Sequence, residues 1–288
     1  MRLAVFLSLM EFQGIMRPQH SSQWRRRHSI SAKWSVRIAF LSLILFVVSG
    51  LGHRFEQIET PEFLWLLAIV AGLACLALLL ALKGFTSLWR RGDIGFTRSF
   101  WGTLIALLVL IPFMTTIYQV MVLPAIYDVS TDLTDPPALL ETGRRSVNMN
   151  PVINDPDSRG LQAKAYPEVT GRRYEGSPDR ILTAVKTVIA NNGWVIISQK
   201  GEPGETEEIL VDVVARTWLL GFTSDVVIRL SDEGETTYVD MRSVSRYGTH
   251  DLGENADRIA AFMTALDMEV QGVQPEEETT EVPPADAS

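Results

Sequence analysis

The apolar positions of this chain keep two different rhythms. Before Tyr127 they gather into three long uncharged stretches, and after it they alternate with charged residues at the spacings of half-buried helices and strands. Residues 38–52, 63–82 and 100–126 carry no charge at all. A hydrocarbon core of about 30 Å is crossed by about 20 apolar residues in a helix, and the second and third stretches reach that length unaided. The first needs Trp34 and Arg37 at its edge. The pattern predicts a three-span membrane anchor over residues 34–126, preceded by a basic segment, residues 1–33.

Beyond the spans, residues 127–165 are rich in Asp, Pro and Asn and read as an extended linker. Ser177-Pro178-Asp179 then predicts a helix start, with a capping hydroxyl, a proline at the first position and an acid at the positive helix end. Ile181, Leu182, Val185, Val188 and Ile189 form its apolar stripe, and Asn191-Asn192-Gly193 ends it. Four strand-like runs follow at 194–199, 208–218, 224–231 and 237–245. If Val211, Val213, Ala215, Val226, Ile228, Leu230, Val239 and Met241 face a core, then Asp212, Arg216, Asp225, Arg229, Asp240 and Arg242 lie on a wet face. Gly204 and Asp232-Glu233-Gly234 suit hairpin turns, so the sheet is expected to be antiparallel. A last helix runs over residues 255–270, with Ile259, Phe262, Met263 and Leu266 on its apolar side.

The fold class that results is α+β. A three-helix transmembrane anchor precedes a two-layer domain of about four antiparallel strands flanked by two helices, residues 166–271. An acidic tail, residues 272–288, has too little apolar content to fold. The apolar patch at residues 3–10 lacks a small-residue cleavage site and is followed by Glu11, so it is left out of the fold, and Met16 is an alternative start.

Charge sets an expected orientation. Arg17, Arg25, Arg26, Arg27 and Lys33 precede the first span, and Lys83, Arg90, Arg91 and Arg98 surround the loop between the second and third. The first loop instead holds Glu56, Glu59 and Glu62 against one Arg54. Under the positive-inside bias the basic segments are cytoplasmic and the C-terminal half is outside, in the periplasm of a bacterial inner-membrane protein. Trp34, Trp65, Trp89 and Trp101 fall at or near span ends, where amphipathic rings favour the interface; core packing is an equal alternative for Trp65. Polar residues within the spans are limited to groups such as Thr103, Thr115, Thr116, Tyr118 and Gln119, which argues for an anchor over a transport path. Pro112 is expected to bend the third helix.

The net charge of −8 argues against a nucleic-acid partner, which needs a concentrated basic face. Cys75, the only cysteine, lies in the second span, so no disulfide, thiolate or cysteine metal site serves the polar half. Asp128, Asp132 and Asp135 lack the glycine and terminal glutamate of a calcium loop. No cofactor and no metal are expected. The bilayer is the expected partner, together with an envelope protein or an anionic envelope ligand.

The densest chemistry lies in VDMRSVSRYGTHDLGENADRI, residues 239–259. With TSDVVIRL at 223–230, Gly193-Trp194, Tyr166-Pro167 and DVSTDLTDPP at 128–137, this run resembles the bacterial domain-of-unknown-function family numbered 1499. The resemblance covers residues 128–266 and implies a membrane-attached or exported module without an assigned activity. Ser224-Asp225 stands where many relatives have two acids.

Read from its residues, the segment supports two kinds of site. Asp251 is expected to cap the last helix with Glu254 at its third position, a reciprocal capping arrangement. Backbone N–H groups there, with Arg242, Ser245, Arg246 and Asn255, would hold a phosphate or carboxylate. The competing structural reading pairs Arg242, Arg246 and Arg258 with Asp240, Asp225 and Asp257. The alternative from another class is a membrane-anchored hydrolase with Ser243 or Ser245 as nucleophile, His250 as base and Asp251 as orienter. No GxSxG elbow is present, and adjacent His and Asp side chains diverge on most backbones. A purely structural membrane scaffold is the remaining alternative. The preferred reading is a non-catalytic binding or assembly domain held at the membrane.

Overall fold

The computed structural model describes residues 28–91, 93–140, 145–153 and 155–272. The expectations for the basic residues 17–27, the patch at 3–10 and the acidic tail from residue 273 lie outside the described residues. Three long apolar helices come first: α1 (Ile30–Arg54), α2 (Thr60–Arg91) and α3 (Phe96–Val122), each long and apolar enough to cross a membrane. They outrun the uncharged stretches because a helix continues through the polar edges of a span until a cap stops it. The Ser29 hydroxyl accepts from the Ala32 N–H at 3.3 Å at the start of α1.

Small side chains let these helices approach closely, as is usual where lipid supplies no hydrophobic drive. Ala39, Ala77 and Ala106 form one buried contact and Val70, Ala74 and Val109 the next. The Ser42 hydroxyl crosses from α1 to donate to the Val70 carbonyl at 2.9 Å. A Cβ on Gly102 would lie 3.0 Å from the Val36 backbone nitrogen, so α3 touches α1 almost backbone to backbone. Trp65 is exposed, which decides between its two readings in favour of an outward-facing ring. At one end of the bundle the Ser29 N–H donates to the Ile94 carbonyl, joining the start of α1 to the loop between α2 and α3.

The C-terminal half is one antiparallel sheet with its two longest helices on one face. Its strands are β1 (Asp128–Ser130), β2 (Arg172–Glu175), β3 (Val195–Lys200), β4 (Glu208–Arg216), β5 (Thr223–Asp232) and β6 (Thr236–Ser245). The order is β1-β6-β5-β4-β3, with β2 also pairing β6 beyond the end of β1. The four strands expected from alternation are the four long ones. The two additional strands are three and four residues long, too short to show a period.

Helices α5 (Pro178–Asn191) and α6 (Glu254–Gln271) cover the inner face. Ile181, Val185 and Ile189 from α5 and Ile259, Phe262 and Met263 from α6 pack on Val211, Val213, Val226, Ile228, Val239 and Met241. The Trp194 ring stacks on Phe262 at 5.5 Å. Ser177 stands at the start of α5 without capping it; its hydroxyl instead bonds Asp179, whose carboxyl is held below the usual range by that bond.

The other face differs from the expectation of a wet surface. Residues 131–140 and 145–153, read from sequence as part of an extended linker, lie across it, and α4 (Pro156–Ala165) closes the strap. Gln162 of α4 accepts from the Ser130 N–H at 3.1 Å and donates to its carbonyl at 2.6 Å. Asp212, Arg229, Asp240 and Arg242 are all buried in consequence.

Candidate functional site

Strand alternation decides what the 239–259 segment is able to form, because successive side chains leave a strand on opposite faces. Arg242 and Arg246 project under the strap, whereas Ser243 and Ser245 project toward α6. The anion site expected from Arg242, Ser245, Arg246 and Asn255 is therefore divided by the sheet itself. A compact ligand does not reach all four.

On the strap face the guanidinium groups are taken up by carboxylates of the chain. Arg242 donates through Nε and Nη2 to the two oxygens of Asp128 at 3.0 and 2.6 Å, and not to Asp240 as its position in the strand suggests. Arg159 of α4 reaches the same carboxylate at 3.2 Å, and burial lowers its pKa. Asp240 instead faces Arg229 directly across the β5–β6 ladder, at 3.0 Å. Arg229 also takes Asp135 at 3.0 Å, and although burial opposes it, the bonds to Asp240 and Asp135 raise its pKa. The three linker acids considered for calcium thus turn to arginines: Asp128 to Arg242, and Asp132 and Asp135 to Arg229.

Arg246 pairs with Asp225 as expected, at 2.7 Å. Arg145 of the strap pairs with the same carboxylate, and burial lowers its pKa against the pull of Asp225. A cavity of about 20 Å³ lies here, lined by Arg145, Arg246, Asp225, Asp212, Leu139 and Ile197 among others. That volume suits about one water molecule and leaves no room for a phosphate-bearing headgroup.

On the α6 face Asn255 is a fully buried hub. Its Nδ2 donates to the Tyr127 carbonyl and the Ser245 hydroxyl, each at 3.0 Å. Its Oδ1 accepts from Ser243 Oγ at 2.8 Å and Arg258 Nη1 at 2.6 Å. Arg258 also donates to Ser243 Oγ at 3.0 Å and has a pKa lowered by burial, so Asp257 is not the partner these bonds give it.

The reciprocal cap is corrected as well. Helix α6 begins at Glu254 behind Gly253, so Glu254 is its first residue and not its third. Asp251 still serves the helix start, with Oδ1 accepting from the Gly253 N–H and Oδ2 from the Asn255 N–H, both at 3.0 Å. The chain enters through two left-handed residues, Leu252 at φ 59° and Gly253 at φ 85°. Such a φ suits glycine and strains leucine. Burial pushes the Asp251 carboxyl upward, against those two N–H bonds and the neighbouring His250.

His250 has both ring nitrogens engaged by backbone. Nδ1 accepts from the Leu252 N–H at 3.0 Å, and Nε2 lies 3.1 Å from the Leu123 carbonyl at the end of α3. In that tautomer Nε2 carries the proton, and neither nitrogen is available as a base toward Ser243 or Ser245. The hydrolase constellation is not assembled.

Sequence reasoning missed Asp128 as the partner of Arg242 and Arg159 as a second guanidinium on the same carboxylate. The available signal was the spacing of acids at 128, 132 and 135 ahead of strands whose outward positions carry arginines.

None of the curated proteins compared with the chain matches it. The match that is found coincides with the strapped sheet and stops short of the spans: residues 128–266 match the family model described as Protein of unknown function (DUF1499), the family that the sequence resembles.

Proposed function

We propose that this is a bacterial inner-membrane protein whose three spans hold a non-catalytic binding or assembly domain on the extracytoplasmic side. The observation that carries the reading is the internal engagement of the domain's reactive groups. Arg242, Arg246 and Arg229 face carboxylates of the same chain, the Ser243 and Ser245 hydroxyls meet Asn255, and both His250 nitrogens face backbone. What remains for a partner is surface. Among the described residues β3 has no strand on its outer side, and it exposes Val195 and Ile196 there. An unpaired edge of this kind accepts an added strand from a protein partner.

The full-length protein is to be incubated with a panel of ester, phosphoester and peptide substrates. No turnover is expected; turnover abolished by Ser245→Ala or His250→Ala would overturn the reading in favour of the hydrolase. A reporter fused after Ser288 tests the address. Signal from an extracytoplasmic reporter is expected, and signal from a cytoplasmic one rejects the orientation.

A further inference from the structure

The turn between β4 and β5, residues 217–222, is seated on the end of α1. Arg54 Nη1 donates to the Thr217 carbonyl at 3.0 Å, and His53 Nδ1 lies 2.6 Å from the Leu220 carbonyl. The His53 ring stacks on Phe63 of α2 at 4.4 Å and meets Phe222 at 5.0 Å, so three rings fasten the turn to two helices. Gly221 has φ 76°, and a Cβ there would come 3.2 Å from the Arg54 Cα. The turn therefore lies against the helix backbone itself. Leu220 reaches to 3.5 Å from where a Gly50 Cβ would stand. Gly50 is four residues below Arg54, about 6 Å along the axis, and belongs to the uncharged run.

The tip of this turn is apolar and faces outward. Trp218 is 83% exposed and Leu219 is 68% exposed, beside helical turns on which Leu51 and Phe55 also face outward. Around the tip the polar groups form a rim, with Arg216 paired to Glu56 and Arg54 held at the Thr217 carbonyl. A tryptophan and a leucine carried to the end of a span, level with its last apolar residues, continue the apolar surface of the anchor. Tryptophan is suited to that depth because its ring is apolar and its N–H finds partners among headgroups.

We propose that Trp218 and Leu219 insert into the headgroup and upper acyl region of the bilayer, so that the domain rests on the membrane at a fixed orientation. The proposal rests on the reading of α1, α2 and α3 as membrane spans. The contact of His250 with the Leu123 carbonyl fixes the domain to the end of α3 in the same way. Two helix ends and one inserted turn make three supports, and a domain on three supports does not swing on a tether.

The test uses the full-length protein with Cys75→Ser, reconstituted in nanodiscs of phosphatidylethanolamine and phosphatidylglycerol. An environment-sensitive fluorophore is placed on Leu219→Cys or, at the opposite end of the sheet, on Glu205→Cys. Nitroxide-labelled lipid is expected to quench the Leu219 probe several-fold more than the Glu205 probe, and aqueous iodide several-fold less. Equal quenching of both probes by iodide overturns the proposal. Shielding of the Leu219 probe from both quenchers also overturns it, since the tip is then covered by protein. A chain that stays in solution without lipid or detergent rejects the spans themselves, a failure distinguishable from the other two.

Discussion

The Arg242 guanidinium grips the Asp128 carboxylate at 3.0 and 2.6 Å, joining the last strand of the sheet to the first residue of the first. Both side chains are buried, so each is the other's main compensation for lost water. Arg242 also donates to the Pro137 carbonyl at 3.3 Å and the Ile153 carbonyl at 3.4 Å, which ties the strap to the pair.

Removing one member leaves the other buried and uncompensated. Asp128→Ala is expected to destabilise the domain by about 3–5 kcal/mol, read from denaturant unfolding of the detergent-solubilised protein. Asp128→Leu combined with Arg242→Met and Arg159→Met is expected to recover much of that loss, because the whole buried triad is then apolar and carries no desolvation cost. A triple variant no more stable than Asp128→Ala would show that the charges themselves are required.

Asn255 is expected to be structural. Asn255→Leu removes both acceptor and donor from Ser243, Ser245, Arg258 and the Tyr127 carbonyl, and each buried polar group left without a partner costs about 1–3 kcal/mol. Thermal unfolding of the variant is expected well below that of the parent. An unchanged unfolding temperature would free Asn255 for a ligand role.

Asp251 is expected to give the domain a pH dependence of unusual sign for a carboxylate. Burial raises its folded pKa above the unfolded value of about 3.9, so the folded state binds the proton more tightly. Its contribution to stability is fully present below the unfolded pKa and is lost as pH rises through the raised folded one. Asp251→Asn keeps one acceptor for the helix start and does not titrate. The slope of stability against pH over that window is expected to flatten in the variant, and an unchanged slope would assign it to another group.

Gly102 is expected to be irreplaceable in the bundle. A Cβ there would meet Ser35 Oγ at 2.5 Å and the Val36 nitrogen at 3.0 Å, so Gly102→Val forces α1 and α3 apart. Overpacking of this kind costs about 1–3 kcal/mol. It is measured as loss of helix association in a detergent titration, with Gly72→Val, which meets nothing within 4 Å, as the control.

Much of the molecule was legible from spacing alone. The three long helices announce themselves by uninterrupted apolar length, α5, α6 and the four long strands by a local period, and Arg246 with Asp225 follows from the outward face of adjacent strands. The strap was not legible. Residues 131–153 have no period, and their prolines and acids have the composition of a solvated linker. The same limit applied to the candidate site, where neighbours in sequence were taken for neighbours in space. Arg242 and Ser243 adjoin along the chain and stand on opposite faces of the sheet.

Local spacing is enough to show that the first half is apolar enough to span a membrane and that the second half is an alternating sheet with amphipathic helices. Those properties are local, since a period of two or of 3.6 residues is complete within one element. Which charges meet is set by the packing of distant segments. Asp128 and Arg242 are 114 residues apart, and their contact depends on the register of β1 on β6, which no local period encodes. The 217–222 turn likewise sits on His53 and Arg54, so a domain expected on an extended linker is fastened to the ends of the apolar helices.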